Sequence, residues 1–245
     1  MKTLSVILLL GIIGLNPAGN DFTSDVFETS AGDLKIVFVG HGTLMFEFDG
    51  KVIHIDPTMR EADYAELPDA DLILVTHQHG DHLDMAAIKH IRKADCPVVM
   101  TQTCMDQLEN FEGGIIMKNG DNETVSGIPV EAVAAYNIEH TRSNGNAFHP
   151  KGEGNGYVLT LGGKRVLIGG DTENVPEIKA LKDIDIAFLP MNLPYTMTPE
   201  MVADAARAMQ PVILYPYHFG QTDPEKLVEL LKDEKNIEVR IRALE

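Results

Sequence analysis

The run Thr-His-Gln-His-Gly-Asp-His at 76–82 constrains the fold of this 245-residue chain more than any other feature of its sequence. It places three imidazoles and a carboxylate directly after an apolar segment that is typical of a buried strand. Neutral imidazole nitrogens and carboxylate oxygens are the ligands that Zn²⁺ prefers, at roughly 2.0–2.2 Å. In an extended chain His77 and His79 share a face and can bind one ion, whereas Asp81 and His82 lie beyond a glycine turn and would face a second ion. The motif therefore predicts two adjacent half-sites for metal ions at the end of a strand.

Three later positions offer the additional ligands that two half-sites require. His149 lies in a loop, and Asp171 and His218 each follow an apolar, strand-like segment. Residues at strand ends are held by a rigid sheet and still reach a common cleft. His140 competes with His149 for the same role. We prefer His149 because Pro150 stiffens its loop and a predicted strand follows it closely.

The order of these motifs resembles the metallo-β-lactamase fold superfamily of hydrolases. The resemblance lies in His-x-His-x-Asp-His, then a loop histidine, a Gly-Asp-Thr after a strand and a histidine after a late strand. Two upstream motifs, Gly-His-Gly-Thr at 40–43 and Ile-Asp-Pro at 55–57, make the chain most similar to the branch that contains ascorbate-6-phosphate lactonase and related small metal-dependent hydrolases. The likeness covers residues 33–242.

The resemblance implies a complete ligand set for two divalent ions. In this set His77, His79 and His149 hold the first ion, Asp81, His82 and His218 hold the second, and Asp171 bridges them. The expected metal is Zn²⁺, with Mn²⁺ as the alternative, because the lactonase-like branch can use other metals. A hydroxide that bridges the two ions is expected to attack the substrate, with Asp81 and Asp171 as the catalytic carboxylates.

Two further residues are expected near this centre. By resemblance, His41 lies close to the site and would contact the substrate or stabilise its own turn. Asp56 is expected to accept a hydrogen bond from one of the ligand imidazoles, an interaction that fixes the tautomer and orientation of the ring.

These features favour an enzyme that hydrolyses a small ester, lactone or phosphodiester. A β-lactam hydrolase is an alternative on grounds of fold, although the lactonase-like upstream motifs argue against it. A non-catalytic metal-binding or sensor protein is another, which an incomplete ligand set would favour. A diiron redox protein is a poor match, because such relatives carry a carboxylate where His79 stands, together with a flavin domain.

The pattern of apolar segments predicts the fold class. Antiparallel strands are followed by strand-helix-strand units, and the same order then repeats, with hairpin turns at 49–50 and 162–163. This pattern alone leaves a doubly wound α/β fold open. The resemblance implies a different α/β fold, the four-layer αβ/βα sandwich of two mixed sheets packed face to face with helices outside. We expect one domain over residues 33–245, preceded by an irregular leader at 21–32.

The N-terminal segment and the charge suggest where the protein acts. Residues 1–20 combine one lysine, a short apolar stretch and a small-residue exit, which is typical of a cleaved signal peptide. The apolar stretch is shorter than the roughly 20 residues of a spanning helix, so no stable membrane insertion is expected after cleavage. We therefore expect a periplasmic or secreted protein. A formal net charge of −17 argues against nucleic-acid partners. The expected partner is a small-molecule substrate.

The two cysteines are not expected to form a disulfide. Cys96 and Cys104 flank a predicted strand and would lie about 20 Å or more apart, whereas a bridge needs Cα atoms within about 7 Å. We expect both to be buried and free.

Overall fold

The computed structural model describes residues 22–109 and 111–244, which form two sheets of seven strands each. The predicted signal peptide at 1–20 lies outside these described residues. The strands of the first sheet are β1 (Ser24–Thr29), β2 (Gly32–Gly40), β3 (Thr43–Phe48), β4 (Lys51–Ile55), β5 (Leu72–Leu74), β6 (Val98–Met100) and β7 (Gly114–Ile116). Those of the second sheet are β8 (Asn122–Val125), β9 (Ile128–Ala135), β10 (Gly154–Leu161), β11 (Lys164–Ile168), β12 (Ile186–Pro190), β13 (Ile213–Tyr217) and β14 (Glu238–Val239).

Both sheets have the same internal order. In the first sheet β1 to β4 are antiparallel neighbours, and β4 to β7 are parallel neighbours. In the second sheet β8 to β11 are antiparallel, and β11 to β14 are parallel. Each half of the chain is therefore a meander that continues into parallel strands, as the repeated pattern predicted.

Five helices accompany the sheets in the described ranges. They are α1 (Met85–Ile91), α2 (Gln102–Asp106), α3 (Pro176–Lys179), α4 (Pro199–Met209) and α5 (Glu225–Leu231), with a 3₁₀ turn at Tyr64–Glu66. Helix α4 begins as its sequence predicts, because the Thr198 hydroxyl accepts a hydrogen bond from the Met201 amide and Pro199 occupies the first turn. Across 22–109 and 111–244, every helix is too short or too polar to span a bilayer.

Strand β2 shows how a continuous apolar strand is covered on both faces. Leu34, Ile36 and Phe38 belong to the large core between the sheets, whereas Val37 and Val39 belong to a second core that includes residues of α1. Because side chains alternate along a strand, a strand buried on both faces must be apolar throughout. The helix, the first sheet and the inter-sheet core are therefore three successive layers.

Aromatic rings from both sheets meet in the inter-sheet core. The ring centroid of Phe38 lies 5.2 Å from that of Tyr215, and Phe188 stacks on Tyr215 at 4.9 Å. Burying a side chain of this size stabilises the fold by about 1.5–3 kcal/mol. The four-layer αβ/βα sandwich is thus confirmed, and two separate sheets exclude the doubly wound alternative.

The predicted hairpins are confirmed in detail. Asp49 and Gly50 have φ values of 49° and 70°, and Gly162 and Gly163 have 57° and 85°. Two successive positive φ values define the type I′ turn, which matches the twist of the flanking strands. Both cysteines are free and buried, as predicted.

The prediction of an irregular leader at 21–32 is wrong. Ser24–Thr29 forms the edge strand β1, which pairs antiparallel with β2. Its Asp25 carboxylate accepts hydrogen bonds from the Tyr215 hydroxyl and from Arg242, at 2.7 Å for Arg242 Nη2 to Oδ2. The polar composition of the segment hides this strand, because contacts with residues at the other end of the chain stabilise it.

Candidate metal centre

The candidate ligands come from segments that follow strands of both sheets. His77 to His82 follow β5, Asp171 follows β11 and His218 follows β13. These strands lie in the parallel parts of their sheets, and the carboxyl ends of neighbouring parallel strands share one edge, where ligands gather in open α/β sheets. His149 enters from the loop between β9 and β10, and its side chain is 6% exposed.

Three histidines and one aspartate form the first group. His79 Nδ1 lies 3.1 Å from His77 Nε2 and 3.2 Å from His149 Nε2. Asp171 Oδ2 lies 3.1 Å from His149 Nε2 and 3.8 Å from His77 Nε2. One ligand atom from each of the four residues therefore faces a common point.

The other oxygen of Asp171 faces a second group. Asp171 Oδ1 lies 3.5 Å from His82 Nε2 and 3.6 Å from His218 Nε2. His218 Nε2 also lies 3.7 Å from Asp81 Oδ2. The structure thus brings together all seven predicted ligands, in the two half-sites that the sequence motif predicts, with one carboxylate common to both.

The residues present fit divalent cations. Ligand atoms at 2.0–2.2 Å from a tetrahedral ion lie about 3.4 Å from one another, which is close to the separations within both groups. His82 Nε2, Asp171 Oδ1 and His218 Nε2 are buried and have no hydrogen-bond partner among the described residues. Buried polar atoms are normally satisfied, and a cation that accepts their lone pairs would satisfy all three.

Hydrogen bonds behind the imidazoles fix which nitrogen faces the centre. His82 Nδ1 donates to Asp56 Oδ2 at 2.8 Å, and the Thr76 hydroxyl donates to the same oxygen at 2.7 Å. Because that hydroxyl has used its proton, it accepts from His77 Nδ1 at 3.1 Å. Both rings therefore direct Nε2 toward the centre, and this is the nitrogen whose lone pair binds a cation when the ring is neutral.

His149 is held in the same way by a residue that the sequence reasoning missed. Asn137 Oδ1 accepts hydrogen bonds from both the backbone N and Nδ1 of His149, each at 2.8 Å. Asn137 Nδ2 in turn donates to Glu173 Oε1 at 3.0 Å. The only sequence signal for Asn137 is its place two residues beyond β9, and Thr76 and Glu173 are found only by their proximity to His77 and Asp171.

Glu173 also accounts for the position of His140, the histidine that competes with His149 in the sequence. Its fully buried carboxylate accepts hydrogen bonds from the amides of Ile138, Glu139 and His140, each at 2.7 Å, and from His140 Nδ1 at 2.7 Å. The contacts between Glu173 and this segment, including the His140 side chain, therefore order the loop that carries Asn137. The structure places His149, not His140, among the candidate ligands.

The two aspartates of the centre are ionised at neutral pH. Burial raises the pKa of the Asp171 carboxyl, but the charges of His218 and His82 and a hydrogen bond from His149 outweigh it and hold the pKa well below its usual value. Burial also raises the pKa of Asp81, and hydrogen bonds from His218 and His41 outweigh it and lower the pKa. Their negative charge would attract cations into the space that the imidazole rings line.

The pKa of His82 shifts in the opposite direction to those of the two aspartates. Burial lowers the pKa of its imidazole, but the charges of Asp171 and Asp56 outweigh burial and raise the pKa to about 9. A cation at this position must therefore displace a proton from His82, which makes metal binding and proton release parts of one equilibrium.

Apolar side chains border the first group. Phe148 directly precedes His149, and its ring lies 5.1 Å from that of Tyr195. Tyr195 is 45% exposed, and its carbonyl oxygen accepts a hydrogen bond from Asn137 at 2.9 Å. These two side chains, Phe148 and Tyr195, form what we call the apolar rim.

The sequence matches a family model for the β-lactamase superfamily domain over residues 35–218. It is 31% identical over 221 residues to a UPF0173 metal-dependent hydrolase of Thermococcus onnurineus, which covers 83% of this chain and 95% of the relative.

Solved structures show the same similarity. A crystal structure from Parabacteroides distasonis, described as that of a candidate metal-dependent hydrolase, shares 47% identity and has a TM-score of 0.86, covering 91% of this chain and 100% of the other. Igni18, a metallo hydrolase from Ignicoccus hospitalis, has 22% identity and a TM-score of 0.70, with 86% and 95% coverage, and at this identity shows the fold alone.

Proposed function

The chain belongs to the metal-dependent hydrolases of the β-lactamase superfamily, and we propose that it is a dinuclear enzyme that hydrolyses a small ester, lactone or phosphodiester. The observation that supports two ions is the position of Asp171. Its Oδ2 lies 3.1 Å from His149 Nε2 in the first group, and its Oδ1 lies 3.5 Å from His82 Nε2 in the second. A single carboxylate that faces two sets of imidazoles is suited to hold two cations close together.

Zinc suits these nitrogen and oxygen donors, with Mn²⁺ as the alternative. When bound, such ions would polarise a substrate oxygen and lower the pKa of a water molecule to near 7.

Residues of the chain orient the ligand rings and the groups that enter the centre. Asp56 and Asn137 hold the rings of His82 and His149 so that their Nε2 atoms face inward. Asp81, whose side chain is 30% exposed, is the carboxylate of the centre that lies nearest to solvent. It is therefore placed to orient an incoming water or substrate hydroxyl.

The apolar rim supports a substrate with an apolar group beside the scissile bond. Burying an acyl or aryl group against Phe148 and Tyr195 would contribute roughly 25 cal/mol per Å² of area removed from water. The similarity to the branch that contains ascorbate-6-phosphate lactonase rests on the upstream motifs alone and remains a proposal. Export likewise stays a prediction from the N-terminal sequence.

The direct test is a hydrolysis screen of the metal-loaded protein. We expect turnover of at least one bond class among a lactone, a bis(nitrophenyl) phosphodiester and matched nitrophenyl acetate and hexanoate esters, with a β-lactam as the competing class. Within the ester pair, the rim predicts a higher kcat/KM for hexanoate. Two bound ions without turnover of any class would support the non-catalytic alternative.

Asp171→Asn then tests the shared carboxylate. We expect a loss of at least about 100-fold in kcat, since one ligand common to both ions loses its charge. Asp33→Asn, at an exposed position of β2, is the matched control. Full activity of Asp171→Asn at an unchanged metal content would contradict the dinuclear proposal.

A further inference from the structure

The turn between β2 and β3 places an eighth donor beside the second group. His41 Nε2 lies 3.6 Å from Asp81 Oδ2, and the rings of His41 and His218 have centroids 3.8 Å apart. One ligand atom each from His41, Asp81 and His218 lie within 4.8 Å of one another. This group shares His218 with the group formed by His82, Asp171 and His218. The two groups therefore adjoin through His218, and His41 lies next to Asp81.

The backbone of this turn is held in an unfavourable conformation against the centre. His41 and His218 both have φ values of 48°, in the left-handed region that residues other than glycine rarely adopt. The His218 amide donates to the His41 carbonyl at 3.1 Å, so the two unusual residues hold each other. Local strain of this kind persists where surrounding contacts enforce it, and it concentrates at functional sites.

Gly42 allows the approach. A Cβ atom at this position would lie 2.9 Å from His82 Cε1 and 3.3 Å from His218 Cδ2. The backbone at Gly42 therefore lies so close to the two imidazoles that only glycine fits there. This close approach places the side chain of His41, the preceding residue, beside Asp81.

We propose that His41 is a ligand of the second cation through Nε2, an inference that rests on the proposed two-ion function. The first cation then has four donors from the chain, namely His77, His79, His149 and Asp171. The second has five, namely His41, Asp81, His82, Asp171 and His218. A site with five nitrogen and oxygen donors suits a cation that accepts more than four ligands, whereas the first half-site suits a tetrahedral ion.

The exposure of the side chains agrees with this role. The His41 side chain is 18% exposed and that of His82 is 0% exposed. His41 therefore lies at the solvent side of the second half-site, where a ligand would limit the escape of the cation.

Metal titration of the purified metal-free protein tests the proposal without reference to activity. His41→Gly is the informative variant, because glycine removes the imidazole and adopts the left-handed conformation without strain. Zn²⁺ binding is followed by calorimetry, Co²⁺ binding by its visible spectrum, and bound metal by elemental analysis. We expect two equivalents in the wild type. In His41→Gly we expect one equivalent to keep its affinity and the other to weaken at least about tenfold, with a changed Co²⁺ spectrum.

The controls separate ligation from a structural role. His90→Ala removes an exposed histidine of α1 and is expected to leave both equivalents unchanged. The melting temperature of metal-free His41→Gly should be equal to or above that of the metal-free wild type. A lowered melting temperature with unchanged affinities would assign His41 to the structure of the turn and overturn the proposal. A wild-type stoichiometry of one would overturn the two-ion function itself.

Discussion

At the scale of single residues, the centre depends on side chains that touch no predicted ion. Asn137 shows the principle most clearly, because one amide oxygen accepts two hydrogen bonds from His149 while its amide nitrogen donates to Glu173 and to the Tyr195 carbonyl. Glu173 is itself fixed by three backbone amides. The orientation of one imidazole is thus transmitted from a fully buried carboxylate through an amide.

Asn137→Ala should therefore weaken cation binding without removing any ligand. The His149 ring loses the acceptor that fixes its tautomer, and losses of this kind lower metal affinity by about 10–100-fold. Calorimetric titration with Zn²⁺ measures the effect, which we expect on one of two equivalents. Asn146→Ala, at an exposed position of the same loop, is the control. Equal affinities in Asn137→Ala and the wild type would show that the loop backbone alone orients His149.

At the scale of elements, β1 is held to the fold by charge as well as by its pairing with β2. The Asp25 side chain is only 16% exposed and contacts Arg240, Arg242 and Tyr215, which belong to the C-terminal part of the chain. Phe27 of the same strand lies under the Arg240 guanidinium, 5.6 Å from Cζ to the ring centroid. The first and last described segments therefore stabilise each other.

Asp25→Asn should destabilise the protein in a pH-dependent way. Burial raises the pKa of Asp25, but hydrogen bonds from Arg242 and Tyr215 outweigh burial and lower the pKa below 3.8. A carboxylate with a lowered pKa contributes stability above its unfolded pKa and loses that stability as pH falls through its folded pKa. We expect Asp25→Asn to reduce the free energy of unfolding by about 1–3 kcal/mol at pH 7.

Urea denaturation at several pH values measures this difference, which should shrink as the pH falls below about 4. Glu28→Gln changes an exposed carboxylate of the same strand and serves as the control. A difference that stays constant from pH 7 to pH 3 would show that Asp25 acts through shape and not through charge.

At the scale of the whole molecule, local patterns predicted the parts that short-range chemistry determines. The motif at 77–82 predicted two half-sites because residue spacing along an extended chain sets which side chains share a face. Hairpins such as Asp49-Gly50 were predictable because the positive φ values of a type I′ turn select the residue types. The sequence did not predict strand β1 or the roles of Asn137 and Glu173. Their partners lie far away in sequence, and their own residue types are common in loops.

The candidate centre also joins the two halves of the molecule, which leads to a prediction about metal removal. His77 to His82 follow a strand of the first sheet, whereas Asp171 and His218 follow strands of the second. Cations bound to both sets stabilise only the state in which the two sheets are packed together. Two ions, each at a hundredfold excess over its Kd, would add about 5 kcal/mol, equivalent to roughly 10–20 °C in Tm for a chain of this length.

We therefore expect chelation to lower Tm by that amount and added Zn²⁺ to restore it. Calorimetry of the chelated, restored and untreated protein measures the shift, and elemental analysis confirms the metal content of each sample. In Asp171→Asn the same treatment should produce a smaller shift, because the ligand common to both half-sites has lost its charge. A wild-type Tm that is identical with two ions and with none would mean that the half-sites do not couple the two sheets.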